Sequence, residues 1–331
     1  MFGKFFKIGC FLGLVAFFLL FNMRESQSWG FWAHKRINRL AVFTLPPEMI
    51  GFYKANLEYV TEHAVDPDKR RYSAEGEDKK HYIDIDHYGE YPFKDFPRDW
   101  DEAIAKYSED TIREYGILPW NLQATMGKLT RAFKDGNTRR ILRHSVDIGH
   151  YIGDAHVPLH TTENYNGQMT GQKGIHGFWE SRCPELFADD NYDYFVGKAV
   201  YLEDSEEQFW DIIMKSASHV QTVLDTEREL TKKFPDDKKY AFAERNNSLL
   251  RTYSEEFSKA YEQELNGMIE ERMRSAILNI GSVWYTAWVN AGKPNLDGDE
   301  EVALTEEEEE VQKKLDEQSK TGKIIGRDHG K

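Results

Sequence analysis

The stretch from residue 138 to 157 constrains the fold more than any other part of the chain. Ile141, Ser145, Ile148, Ile152 and Ala155 recur at helical spacing as one stripe, and Asp147, His150 and Asp154 form a second stripe nearly opposite. A helix apolar on one side and bearing His and Asp on the other is expected to lie between a hydrophobic core and a site. The plainer alternative is an exposed polar face, but that stripe contains neither Lys nor Glu. Helical periodicity dominates elsewhere too, and alternating strand-like runs are rare, so the expected class is all-α. Candidate helices cover roughly 31–44, 47–63, 99–115, 119–135, 138–157, 175–188, 206–230, 239–263 and 265–291, with Pro47, Pro119 and Pro158 at starts or ends. In the last of these, Ile269, Met273, Ala276, Ile280, Val283, Ala287 and Trp288 make the core stripe of a bundle helix. Residues 64–98, rich in Tyr and Phe, and residues 161–174, rich in Asn and Gly, read as two long loops. Loops of that length in a compact domain are usually functional.

The two ends read differently from this middle. Lys4 and Lys7 precede an apolar run from Ile8 to Phe21, and Ser26 and Ser28 place small residues before Trp29. That is the pattern of an export signal cut before Trp29, and the run is short for a membrane span, which needs roughly 20 residues. The expected organisation is therefore a signal peptide at 1–28, one domain at 29–294, and an acidic tail at 295–331, disordered or a solvated helix, with no catalytic role. Location is secreted or periplasmic, with no transmembrane anchor after cleavage. The formal charge of −14 becomes −16 once the leader, carrying a net +2, is gone. Such a balance disfavours stable binding of duplex DNA, which needs a basic face. It leaves room for a small anionic substrate, because bound metal supplies local positive charge. Only Cys183 remains after cleavage, so no internal disulfide forms.

Several residues have the composition of metal ligands. His150 with Asp154, and His176 with Glu180, are spaced i, i+4 and can each present imidazole and carboxylate on one helix face, and His160 lies between the two pairs. Trp29 would carry the free α-amino group after the cut. An amine and its neighbouring carbonyl oxygen can chelate a metal, with His34 close behind. Asp66 and His81 form a further candidate pair, against the alternative of a turn carboxylate and a surface His.

In this order, Trp29, His34, Asp66, His81, His150, Asp154, His160, His176 and Glu180 resemble the ligand pattern of the zinc-dependent phospholipase C and single-strand-specific zinc nuclease superfamily. The resemblance covers residues 29 to about 180. It implies a single helical domain with long loops around a cleft holding three Zn2+ ions. It further implies that Asp66, His81, His150 and Asp154 hold one ion, that His160, His176 and Glu180 hold a second, and that Trp29, His34 and Asp154 hold the third. A water acidified by these ions would attack phosphorus, with Asp66 as the catalytic group that orients it or accepts its proton. Tyr82 and Asp84 resemble the family's pocket pair for a base or head group. Lys69 or Arg70 is a candidate grip on a substrate phosphate, with a solvated basic cluster as the alternative. Asp147 is a candidate to orient His150.

The implied activity is phosphodiester hydrolysis, on a phospholipid head group or on single-stranded nucleic acid. Glu180 in place of Asp, the short His160–His176 interval and the Asn-rich stretch after His160 resemble the phospholipase C branch, which is the leading expectation. The Trp-Gly-x3-His start and the Asp66–His81 interval resemble the nuclease branch. A non-catalytic zinc-binding envelope protein is the alternative from a different class. His63, His87, His144, His156, His219 and His329 match no ligand position.

Overall fold

The computed structural model describes residues 30–245, 248–296 and 302–327. The expected leader, Trp29 and His329 lie outside the described residues. Helix α1 (Phe31–Ala41) passes through a 3-10 turn into α2 (Pro47–Ala55) and α3 (Leu57–Glu62). A short α4 (Asp66–Arg70) follows, then α5 (Trp100–Tyr107), α6 (Glu109–Glu114), α7 (Leu118–Lys134) and α8 (Thr138–Ala155). Helix α9 (Ile175–Gly177) continues through a π turn at Phe178–Arg182 into α10 (Cys183–Asn191). The long α11 (Ser205–Lys233) and the short α12 (Asp236–Lys239) lead to strands β1 (Tyr240–Arg245) and β2 (Ser248–Tyr253). Helices α13 (Glu255–Glu264), α14 (Met268–Asn290) and α15 (Glu306–Thr321) complete the order. The class is all-α, with one antiparallel hairpin pairing Tyr240 with Tyr253 and Arg245 with Ser248.

Local chemistry sets many of the boundaries. Asn137 accepts from Arg140 N at the start of α8, Asp204 from Glu207 N at α11, and Ser254 from Phe257 N at α13. Each supplies an acceptor to one of the leading N–H groups that a helix cannot satisfy internally. The expected helix over 99–115 divides at Ser108, whose φ of 70° breaks the helix and whose side chain caps α6. The expected helix over 47–63 divides at Asn56. The expected helix over 239–263 is a larger departure, because its first part is the hairpin. Tyr253 stacks on Phe178 of the π turn at 3.8 Å, so the second strand gains a tertiary partner. Asn246-Asn247 between the strands is the signal available in the sequence, since Asn favours two-residue hairpin connections.

The core forms where α14 packs on α1, α7 and α8. Trp284 of α14 stacks on Tyr53 at 4.9 Å and donates from Nε1 to the Ser145 carbonyl at 3.0 Å, while Tyr53 bonds Ser145 Oγ at 2.8 Å. Helix α8 is therefore enclosed. Its apolar stripe meets the core, and Asp147, His150 and Asp154 are buried as well. The exposed-face alternative does not hold. Among the described residues no helix is long and apolar enough to cross a membrane.

The tail takes the solvated-helix form of the two expected for it. Residues 306–321 form helix α15, opened by a capping box in which Thr305 and Glu308 satisfy each other's backbone N–H. Four acidic residues in its first turn suit the positive end of the helix dipole, and Glu310 pairs with Lys314 at 2.8 Å. The acidic run is thus a well-formed helix start.

Candidate metal centre

Helix α8 supplies the centre of the site, and its glycines admit the neighbouring ligand. A Cβ on Gly149 would lie 1.9 Å from Asn38 Oδ1, and one on Gly153 would lie 2.9 Å from the His34 ring. These two positions let α1 approach α8 closely enough for His34 to stack on His150 at 3.9 Å between ring centroids. Gly149→Ala is therefore expected to destabilise the fold by about 1–3 kcal/mol, the usual cost of overpacking a tight contact. Denaturant titration checks this, and an unchanged midpoint would show that α1 and α8 are not in such contact.

Asp154, only 2% exposed, lies at the middle of the cluster. Its Oδ1 faces His34 Nε2 at 3.3 Å and His160 Nε2 at 3.8 Å. Its Oδ2 faces His81 Nδ1 at 2.9 Å and His150 Nε2 at 3.4 Å. One carboxylate thus spans two sets of imidazoles. Farther along, Glu180 Oε2 lies 3.1 Å from His176 Nε2 and 3.3 Å from His160 Nε2. The π turn at 178–182 carries Glu180 on the same local element as His176.

Backbone carbonyls orient three of the rings. His150 Nδ1 donates to Ala64 O at 2.8 Å, His160 Nδ1 to His81 O at 2.5 Å, and His176 Nδ1 to Tyr165 O at 3.1 Å. A carbonyl can only accept, so Nδ1 is the donor in each bond and Nε2 is the ring nitrogen that faces the cluster. Metal-binding histidines are held in this way. His81 is turned the other way, with Nδ1 inward.

Electrostatics match the geometry. Burial alone would raise Asp154, but His150 and His160 hold it well below the usual carboxylate range. Burial alone would lower His150, yet Asp154 and Asp68 push it up to about 9. Glu180 is likewise driven down, burial being outweighed by His176 and His160. The carboxylates are ionised and need a cation or protons beside them.

Among the described residues, three groups of converging donors could hold metal ions: His34, His150 and Asp154; Asp68, His81 and His150; and His160, His176 and Glu180. The donor set fits. Ligands at 2.0–2.1 Å from a tetrahedral ion stand about 3.3 Å apart, and most of the contacts above lie near that value.

The second group corrects the expected ligand Asp66. Asp68 is the carboxylate beside His81 and His150, at 3.8 Å from each. Residues two apart on a helix point about 200° apart, so α4 turns Asp66 away when it turns Asp68 inward. Asp66 instead bonds His63 at 2.7 Å and Gln312 of α15 at 3.0 Å. At 19% exposure, Asp68 is one of the more open members of the cluster. Sequence reasoning passed over it because only the helical phase of α4 separates it from Asp66.

The basic candidates have other partners. Lys69 pairs with Asp316 of α15 at 2.7 Å and lies 3.4 Å from Asp66. Arg70 pairs with Asp147 at 2.8 Å and Glu77 at 3.3 Å. Both side chains are thus paired within the chain, and Asp147, the expected partner of His150, pairs with Arg70. Burial acts to raise the Glu77 carboxyl, but Arg70 chiefly, with His81, Lys80 and Tyr151, brings it from 4.5 to about 2. A depressed folded value means stability present above the unfolded value and lost on acidification. Glu77 is thus expected to contribute about 3 kcal/mol above pH 4.5, lost as pH falls through about 2. Glu77→Gln should flatten that part of the acid denaturation profile of chelator-treated protein; a superimposable profile would remove this role.

Of the histidines outside the pattern, His156 is buried and bonded to Ile152 O at 2.7 Å and to Ser275 at 3.1 Å, facing away from the cluster. Cys183 is buried. Tyr82 and Asp84 lie against Arg327 of the C-terminal segment: its Nη1 donates to both Asp84 oxygens, at 2.6 and 2.7 Å, and its guanidinium carbon sits 4.0 Å from the Tyr82 ring centroid. Gly30 abuts the cluster, since a Cβ there would stand 3.2 Å from Glu180 Oε1. The chain matches no protein-family model, and no curated protein matches it by sequence.

Proposed function

We propose that this chain is a zinc-dependent phosphodiester hydrolase with the helical fold of the phospholipase C and zinc nuclease superfamily, acting at a centre of three ions. The observation that carries the reading is Asp154, whose two oxygens each face a different pair of imidazoles. A structural zinc site normally closes one ion with four ligands. A carboxylate shared between donor sets suits a multinuclear centre instead. Metal bound here supplies an acidified water and charge against the phosphoryl oxygens.

The remaining roles belong to the chain. His34, His150, His160 and His176 hold their donor nitrogens in place through the stack and carbonyl bonds described above, and His81 presents Nδ1 beside Asp154. Asp68, more exposed than Asp154, takes over the proton-accepting role first expected of Asp66. The closeness of Gly30 to Glu180 supports a further role for Trp29. An amino group freed at that residue would start beside the cluster, where it can complete the third set with His34 and Asp154.

Phospholipase C-like hydrolysis remains the leading reading, on the resemblance of Glu180 and the His160–His176 interval. One observation favours the nuclease reading: the Tyr82–Asp84 pocket holds a flat group with N–H donors, a description that also fits the edge of a nucleobase.

The test is turnover of bis-p-nitrophenyl phosphate by zinc-loaded mature protein beginning at Trp29. Folded, zinc-loaded protein without turnover would favour a non-catalytic zinc-binding role. Parallel incubation with phosphatidylcholine vesicles and single-stranded DNA separates the branches by the product released, phosphocholine or 5′-nucleotides.

A further inference from the structure

The C-terminal segment is held in an unusual way. Helix α15 has no buried residue, so it lacks the apolar stripe by which a surface helix ordinarily docks. The polar links of the helix to the body are Gln312 to Asp66, Lys69 to Asp316 and Arg139 to Glu308, and ahead of it the Ala303 carbonyl accepts from Arg139 while Val302 packs against the core. A cavity of about 210 Å³ remains between it and the body, lined by His63, Asp66, Arg143, Val311 and Leu315 among others. The Arg139 links are exposed, and contacts of that kind are weak and screened by salt, whereas Lys69 and Asp66 are largely buried.

Past this polar-docked helix, the chain places one side chain deeply. The Arg327 side chain and its partner Asp84 are each only 9% exposed. Besides its two bonds to Asp84, the guanidinium donates to Thr162 O at 3.0 Å and stands 3.6 Å from the Tyr165 ring centroid as well as against Tyr82. The backbone around it is clasped too. Ile325 N donates to Arg71 O at 2.8 Å, and Arg327 N to Asp78 Oδ2 at 3.0 Å. Gly326 makes this possible, with φ of 91° and a position where a Cβ would meet the Asp78 carboxylate at 2.1 Å.

The pocket is built on the backbone that holds the metal candidates. Tyr82 and Asp84 follow His81, Ile83 N bonds His160 O at 3.0 Å, and Tyr165 O receives His176 Nδ1. Two aromatic faces, a buried carboxylate and a carbonyl form a receptor for a flat group bearing N–H donors.

We propose that the C-terminal segment, residues 302–327, is an intrasteric plug: Arg327 occupies the Tyr82–Asp84–Tyr165 pocket and excludes other ligands until the segment is displaced. The effect on turnover rests on the hydrolase reading, whereas occupancy of the pocket does not.

Gly326→Ala tests the plug, because it disrupts docking while leaving Arg327 and the pocket intact. In the full mature chain, trypsin should cleave after Arg327 at least tenfold faster in this variant than in wild type. A synthetic amidated peptide of residues 319–327 should bind the variant at least tenfold tighter than wild type, whose pocket is already filled. The same peptide with Arg327→Ala should not bind. KM for the p-nitrophenyl ester of thymidine 5′-phosphate, whose flat base carries an N–H donor, should fall at least threefold, with kcat little changed, and full-chain Arg327→Ala should reproduce that fall. Equal cleavage and equal peptide binding in wild type and Gly326→Ala would overturn the proposal, as would an unchanged KM in a variant whose segment is shown to be released. If no form hydrolyses the ester, the hydrolase reading fails, and cleavage and peptide binding still decide whether the pocket is plugged.

Discussion

Asp154→Asn is expected to lower metal affinity by more than about 100-fold, because losing even an outer-shell partner of a metal ligand costs 10–100-fold. The substitution keeps the shape of the side chain and removes the charge that faces His34, His81, His150 and His160. Phosphodiester turnover should fall at least as far. Glu180→Gln should do less, since Glu180 touches only His160 and His176. Metal content by elemental analysis after dialysis, together with turnover of bis-p-nitrophenyl phosphate, separates the two variants. Equal losses would show that Asp154 is not shared between donor sets. Stability should follow the metal. A site saturated at 100 times its Kd contributes about 2.7 kcal/mol, so Asp154→Asn should melt near the chelator-treated wild type.

Asp68→Asn and Asp66→Asn are expected to part company. Asp68 stands 3.8 Å from both His81 and His150, and its loss should cost more than about 100-fold in metal affinity at that group, as a ligand should. Asp66 is buried against His63, Lys69 and Gln312, and these partners hold its carboxyl low against the upward effect of burial. Its loss should loosen α15 and leave metal content near wild type. Metal stoichiometry is the deciding measurement. If Asp66→Asn lost the metal while Asp68→Asn kept it, the assignment of α4 would be reversed.

These two predictions mark how far the sequence could be read. His150–Asp154 and His176–Glu180 were legible because i, i+4 spacing places side chains on one face whatever surrounds the helix. His34, His81 and His160 were legible from a resemblance in their order along the chain, and the structure brings all three into the cluster. Asp66 against Asp68 was not legible, because the choice turns on the phase of a helix of five residues. Lys69 and Arg70 read as available cations because their partners Asp316 and Asp147 are distant in sequence. The hairpin at 240–253 was missed because its apolar residues also fit a helical period, and the stack of Tyr253 on Phe178 joins residues far apart in the chain.

By itself the sequence determined the helical class, the core stripe of α14, and a helix with one face for the core and one for a site. Those properties depend on periodicity, which a chain carries locally. The tertiary structure alone decided which carboxylate joins His81 and His150, how closely α1 approaches α8, and where the tail goes. Such outcomes depend on contacts between residues many positions apart. Asp154 shows both levels at once: its spacing from His150 is written in the sequence, but its place between two sets of imidazoles exists only once α1, α8 and the turn at His160 have packed.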